Sequence, residues 1–227
     1  MLSKSIVILS LVFIIVHLVF CFLEKNRERK ITKCFCVVSI GLIVWALGAK
    51  NIFVYFALLF GLLGDLCLIF KDNKKLLVLG MIAFGINHIF YYIGALYKID
   101  YLNSCFYYII PLVFTLISSI IYLIGKKYFK SLSIPSSLYA SSLGSEFFVM
   151  IIFLIYSYKY YAYPLCFLPL LGNLIFIVSD LYLAKTLFIK HDKREDFYIM
   201  FTYLVGQFLL SLSIGLFYWF KIEAIVY

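Results

Sequence analysis

Long apolar runs alternate along this chain with short polar connections, and most runs approach the 20 or so residues that an α-helix needs to cross a hydrocarbon layer. The pattern predicts eight transmembrane helices, near residues 5–23, 34–49, 52–70, 76–97, 105–125, 136–158, 162–188 and 197–220. The expected fold is therefore an all-α polytopic membrane protein, with residues 1–227 as a single integral membrane domain. Residues 1–23 have the apolar stretch of a signal peptide, but no A-x-A cleavage pattern follows, so the stretch is read as the first span.

Polar residues inside such runs carry the candidate chemistry. Leu58–Lys71 reads LLFGLLGDLCLIFK, with one acid, Asp65, in apolar surroundings. An ionised carboxylate within a span costs about 2.5–3.5 kcal/mol even on a lenient insertion scale, so such a residue is rarely idle. Phe176–Lys185, FIVSDLYLAK, repeats the order of small residue, Asp, Leu, any residue, Leu and then Lys, around Asp180. Asp65 and Asp180 are therefore expected to be the two halves of one intramembrane site. Helix four adds Asn87, His88 and Tyr91, helix six Glu146, helix seven Asn173 on the face of Asp180, and helix eight Tyr203 and Gln207. Lipid offers none of these groups a partner, which places them in the bundle interior. Asn87-His88-Ile89 can be laid on Gly206-Gln207-Phe208, so together with the aspartate motifs a 4+4 parallel repeat is possible. At 1.5 Å per residue, Asp65, Asp180, Glu146, Gln207 and His88 all fall within roughly 18 Å of the basic ends of their helices. This predicts a polar cavity confined to one leaflet. His17 reads as a packed polar residue, Gly61 and Gly64 as points of close helix approach, and helix five as scaffold.

Composition sharpens the class. The chain is 65% apolar, 20% aromatic and only 14% charged, far from a soluble domain. Its net charge of +9 suggests nucleic acid until the basic residues are located: fifteen of the twenty lie in the first, third, fifth and seventh connections. That is a positive-inside bias, placing the odd connections in the cytoplasm and both termini outside, in the cell (plasma) membrane, with no nucleic-acid partner. Glu24–Lys33 reads as a charged cytoplasmic loop, with Lys33 at the mouth of helix two as a snorkelling anchor or as a contact for a phosphate or an aspartate. The tyrosines at 97 and 101, and those from 156 to 163, suit the outer interface. Cys21, Cys34, Cys36, Cys67, Cys105 and Cys166 contain no CxxC pair and read as buried small apolar residues.

With these residues in view, the chain resembles the YhhN-like lysoplasmalogenase family of eight-helix membrane proteins. The resemblance runs in order through LLGD at 62–65, NHIFYY at 87–92, LGNLIFIVSDLYLA at 171–184 and YLVGQFLLSLS at 203–213. The family favours a lysine opening helix two with a proline soon after; Lys33 fits, but Cys34 and Cys36 follow in place of the proline. Glu146 has no counterpart in the family pattern. The resemblance implies hydrolysis of the vinyl ether bond of lysoplasmalogens, releasing a fatty aldehyde and a glycerophospho-alcohol, with a lysophospholipid from the membrane as substrate.

The chemistry suits the residues. Protonation of the alkene carbon gives an oxocarbenium ion that water captures, so one group must hold a proton and an anion must lie close by. Two carboxyl groups in a desolvated pocket meet both needs, as they do in glycosidases. The expected catalytic residues are Asp180 as acid, Asp65 as anion, because Lys71, Lys74 and Lys75 crowd nearer to it, and His88; His88 or Gln207 is expected to position the water. Lys33, Glu146, Asn87, Tyr91, Asn173, Tyr203 and Gln207 are the expected binding and supporting residues. No cofactor and no metal is called for, and the pattern assigns no oligomeric state. Three readings compete. The aspartates can be structural, each tied to a lysine or a helix end. The protein can be a small-molecule or lipid transporter using intramembrane acids, which predicts polar groups continuing through both leaflets. It can also be a metal-dependent lipid hydrolase, which chelation would inactivate.

Overall fold

Short polar signals fix the ends of the helices. Asn51 and Asn73 cap the helices that follow them, each side-chain oxygen accepting a backbone N–H two residues on, from Phe53 at 3.1 Å and Lys75 at 3.0 Å. Gly48, at φ 92°, takes the left-handed position after the second helix, and the bonds Ala49 N–H to Val44 O and Gly48 N–H to Trp45 O close a Schellman turn. In this computed structural model, residues 2–97, 105–189 and 195–226 are described. They form α1 (Leu2–Phe22), α2 (Asn26–Ala46), α3 (Ile52–Leu68), α4 (Lys74–Leu96), α5 (Cys105–Phe129), a 3-10 turn (Lys130–Leu132), α6 (Ser133–Tyr161), α7 (Leu168–Phe188) and α8 (Glu195–Val226). The described residues are thus all-α, with no strand. Lys98, Tyr101, Lys190, Lys193 and Arg194, used in the charge and interface arguments, lie outside the described residues.

Several helix boundaries differ from expectation, and for three of them the structure shows why. Most of the stretch read as a loop from Glu24 to Lys33 is helical, because α2 starts at Asn26. Its Arg and Lys residues are good helix formers, and Arg29 is held by an ion pair to Asp196 at the start of α8. Helix α6 begins at Ser133 and not after Pro135, since a proline in the first turn gives up no helical hydrogen bond. Helix α7 begins at Leu168 and not at 162, because Ala162 adopts a left-handed φ of 46° that ends α6.

Consecutive helices pair as hairpins, α1 with α2, α3 with α4, α5 with α6 and α7 with α8. Between hairpins, α2 packs on α3 and α8, while α6 packs on α7 and α4. The start of α2 meets the start of α8 through Arg29 and Asp196, and the end of α7 meets the start of α8 through Lys185 and Glu195 and the end of α5 through Phe188 and Phe129; this is termed the basic end. Among the described residues, five segments are long and apolar enough to cross a membrane: Ser3–Phe22, Lys74–Leu96, Leu112–Tyr161 (which runs through α5 and α6), Leu168–Phe188 and Glu195–Phe217. Ile52–Leu68 is apolar but shorter. Leu9, Phe22, Leu112, Leu123 and Leu181 are exposed on the outside of the bundle, the surface of an integral membrane protein. Inside, Val44, Val54, Tyr91, Phe153, Leu210 and Phe217 form one continuous core.

Candidate functional site

Most of the candidate site residues fall into three groups, each joining more than one helix. The first joins α2, α3 and α8. Lys33 Nζ lies 3.0 Å from Asp65 Oδ1, and the Tyr203 hydroxyl donates to Asp65 Oδ2 at 2.9 Å. Of the contacts open to Lys33, the structure shows the one to an aspartate.

The second group joins α4, α6 and α7. His88 Nδ1 lies 2.5 Å from Glu146 Oε2, and both side chains are fully buried. His88 Nε2 lies 3.5 Å from the Tyr139 hydroxyl, which donates to Asp180 Oδ2 at 2.5 Å. Tyr139 has one proton, and it is committed to Asp180, so the longer contact is a hydrogen bond only if Nε2 carries the hydrogen. The donors then run in one direction, from the His88–Glu146 pair through Tyr139 to Asp180.

The third group lies between α4 and α8. The Tyr91 hydroxyl donates to Gln207 Oε1 at 2.5 Å and sits 2.6 Å from Ser211 Oγ, while Asn87 Nδ2 donates to Ala57 O at 2.6 Å. Gly61 makes this possible: a Cβ there would lie 3.1 Å from Gln207 Nε2 and 3.2 Å from Asn87 Nδ2. Asn173 is fully buried beside Glu146.

Asp65 and Asp180, expected to meet, occupy separate groups and share no hydrogen-bond partner among the described residues. Aromatic rings fill the boundary between them. Phe176 packs edge-on against His88 (centroids 4.7 Å apart) and against Tyr203 (5.4 Å), and Phe84 packs on Tyr203 at 5.9 Å. The carboxyl group nearest to Asp180 through hydrogen bonds is Glu146, by way of Tyr139 and His88.

Asp180 and Tyr139 also face a cavity of about 430 Å³ between α4, α5, α6 and α7. Its wall is almost wholly apolar, with Met81, Phe84, Ile117, Leu143 and Ile177 among the lining residues; the polar side chains in it are Ser136, Tyr139 and Asp180. Volume and lining match a site for a small apolar ligand with a few fixed polar groups. Helices α5 and α7 flank it: Phe129 and Phe188 meet with centroids 4.7 Å apart at the basic end. Farther in, Ile117, Ile121, Leu181 and Ala184 line the space between these helices, and Leu181 is 66% exposed. Helix α5, expected to be scaffold, is thus also a cavity wall.

Sequence reasoning missed Tyr139. The available signal was its position seven residues before Glu146, the spacing that had singled out Asn173 and Asp180. The ion pairs Arg29–Asp196 and Lys185–Glu195, which fasten α8 to α2 and α7, were missed as well. His17 is a packed polar residue, 2.6 Å from Thr32 Oγ1 and 3.5 Å from Cys21 Sγ. Cys21, Cys34, Cys36, Cys67 and Cys166 are free thiols; Cys21, Cys36 and Cys166 are buried, and Cys34 and Cys67 are partly exposed. Among the described residues no three His, Cys, Asp or Glu side chains group as metal ligands would.

Fold and site define an all-helical membrane protein with acids held inside the bundle and an apolar cavity reaching one of them. Comparison with known proteins makes this more particular: the chain belongs to the YhhN family, whose model matches residues 28–214. No curated protein and no solved structure matches it.

Proposed function

We propose that this protein is a lysoplasmalogenase-type hydrolase, cleaving the vinyl ether bond of a lysophospholipid drawn from the membrane. The observation that carries this is the apolar cavity with Asp180, backed by Tyr139, in its wall. A single hydrocarbon chain fits such a lining, and the reaction needs one proton donor beside it. Asp180 gives its proton to the alkene carbon, forming a C–H bond and an oxocarbenium ion. The Tyr139 O–H···Oδ2 bond then becomes charge-assisted, stabilising the carboxylate as it forms. Water adds to the cation and returns a proton to Asp180, and the hemiacetal collapses to aldehyde and alcohol. We assign the place of the nearby anion to Glu146, through His88, because Asp65 is already engaged by Lys33 and Tyr203.

Membership of the YhhN family is consistent with this activity. The architecture we propose is eight spans with both termini outside, arranged as a 4+4 parallel repeat in the plasma membrane. What supports the repeat is that the packings α1–α2, α3–α4, α2–α3 and α2–α8 have counterparts in α5–α6, α7–α8, α6–α7 and α6–α4. Transport is disfavoured at the end opposite the basic one. There Asn51 donates to Gly94 O, Tyr163 to Ser213 O, Ser213 to Leu165 O and Tyr55 to Ala49 O. Among the described residues, these side chains are bound to backbone and are not free to line a polar path.

Purified protein in detergent, given a 1-alkenyl lysophospholipid, is expected to release aldehyde with no cofactor added and with chelator present. Asp180→Asn is expected to lower release by about 100-fold or more while eluting from gel filtration like wild type. Release at the wild-type rate from that variant would overturn the assignment.

A further inference from the structure

Three polar side chains stand in the wall of the apolar cavity, and the reaction proposed above uses two of them, Asp180 and Tyr139. The third is Ser136. A helical serine in apolar surroundings ordinarily turns its hydroxyl back onto a carbonyl of the preceding turn. Its neighbours Ser133, Ser137, Ser141 and Ser142 do so, donating to Lys130 O, Ser133 O, Ser137 O and Tyr139 O at 2.5–2.7 Å. Ser136 does not. It is only 8% exposed, and among the described residues its hydroxyl meets the Met81 thioether alone, at 4.0 Å. Sulfur is a weak acceptor, and that distance is the limit of contact. Buried polar groups are nearly always hydrogen-bonded, so an exception that lines a cavity points to a ligand.

Position selects which part of the ligand that is. Ser136 precedes Tyr139 by three residues, so the two share a face of α6, with Ser136 one turn, about 4.5 Å, nearer to the end where α6 begins. Tyr139 is bonded to Asp180 and so marks the carbon that receives the proton. In a 1-alkenyl lysophospholipid the hydroxyl on the central glycerol carbon lies five bonds from that carbon, about 6 Å away when extended. The alkenyl chain needs no polar partner. The phosphate is charged and farther along, and a single neutral hydroxyl in an apolar wall does not offset the burial of an anion. The free glycerol hydroxyl matches in place and in kind, since it and the serine each donate and accept. We propose that Ser136 binds this hydroxyl, turning the glycerol toward the basic end and setting the alkenyl carbon beside Asp180. Ser136 is thus a specificity-determining residue for lipids whose central glycerol hydroxyl is free. The identity of the ligand rests on the hydrolase reading.

Deleting the hydroxyl from the ligand tests the contact without touching the protein. Wild-type protein in detergent is expected to cleave the 2-deoxy analogue of a 1-alkenyl lysophospholipid with kcat/KM about tenfold below the parent, the size of one hydrogen bond. Ser136→Ala is expected to lose as much on the parent and nothing further on the analogue. Equal losses on both substrates would make Ser136 a packing residue and overturn the proposal. Binding separates the contact from the reaction, because a saturated 1-O-alkyl lysophospholipid has no vinyl bond to cleave. Wild-type protein is expected to bind it about tenfold more tightly than its own 2-deoxy analogue, and Ser136→Ala to bind the two alike. Equal affinity of wild-type protein for the two saturated lipids, or binding of neither, overturns the role of Ser136 whether or not the variant folds. A hydroxyl preference in binding, with no aldehyde released from either vinyl ether, keeps the Ser136 contact and removes the hydrolase reading.

Discussion

Lys33 and Asp65 show how one residue can be mistaken for another kind. An acid in an apolar run was rightly read as engaged, but its partner is a lysine, at 3.0 Å, with Tyr203 on the other oxygen. Removing one member of a buried pair strands the other charge, at a cost of about 3 kcal/mol, whereas replacing both is far milder. Lys33→Met and Asp65→Asn are therefore each expected to lower the thermal midpoint, and the double variant to recover much of the loss in a double-mutant cycle. Purely additive losses would mean that the ion pair contributes nothing. Tyr139→Phe tests a different role: it keeps the ring against His88 and removes the hydroxyl from Asp180. It is expected to lower kcat about tenfold or more with KM nearly unchanged, as for an interaction made chiefly in the transition state. Asp65, His88, Glu146 and Asp180 were legible because charge in an apolar run is conspicuous. Tyr139 was not, because a chain with 20 tyrosines hides one that bears a proton among those that only pack.

At the scale of elements, α7 and α8 approach closely through Gly172 and Gly206. A Cβ on Gly206 would lie 2.9 Å from Gly172 O and 3.2 Å from Phe176 N, both backbone atoms that cannot step aside. Gly206→Ala is expected to cost about 1–3 kcal/mol by overpacking, read as a lowered thermal midpoint. Gly41→Ala, whose nearest neighbour would be a leucine methyl at 3.6 Å, serves as the tolerated control. Helix positions were legible because the apolar runs stand out from the polar connections between them. Their ends were less so where tertiary contacts decide. Arg29 looks like loop until Asp196, far along the chain, is seen to hold it. Likewise α5, whose own polar residues say little, gains a role only from what α6 and α7 leave open beside it.

For the whole molecule, the hairpin pairing and the charge asymmetry lead to one topological expectation. A reporter fused to either terminus should read as external, and one placed in the α3–α4 connection as cytoplasmic; opposite readouts at the two termini would rule out an even number of spans. The pairing of the aspartates was the step that pattern alone misplaced. A motif that occurs twice does not reveal what lies between its two copies, and here Phe84 and Phe176 fill that space.

The stretch of wall between α5 and α7, where Leu181 is exposed and Phe129 meets Phe188, bears on how the proposed lipid substrate would reach the cavity. A lipid entering there would come sideways from the bilayer, and the quantity that sets occupancy would be mole fraction in the surface and not molarity in the volume. Surface-dilution kinetics follow: adding inert lipid at fixed total substrate should slow turnover, while adding buffer should leave it unchanged.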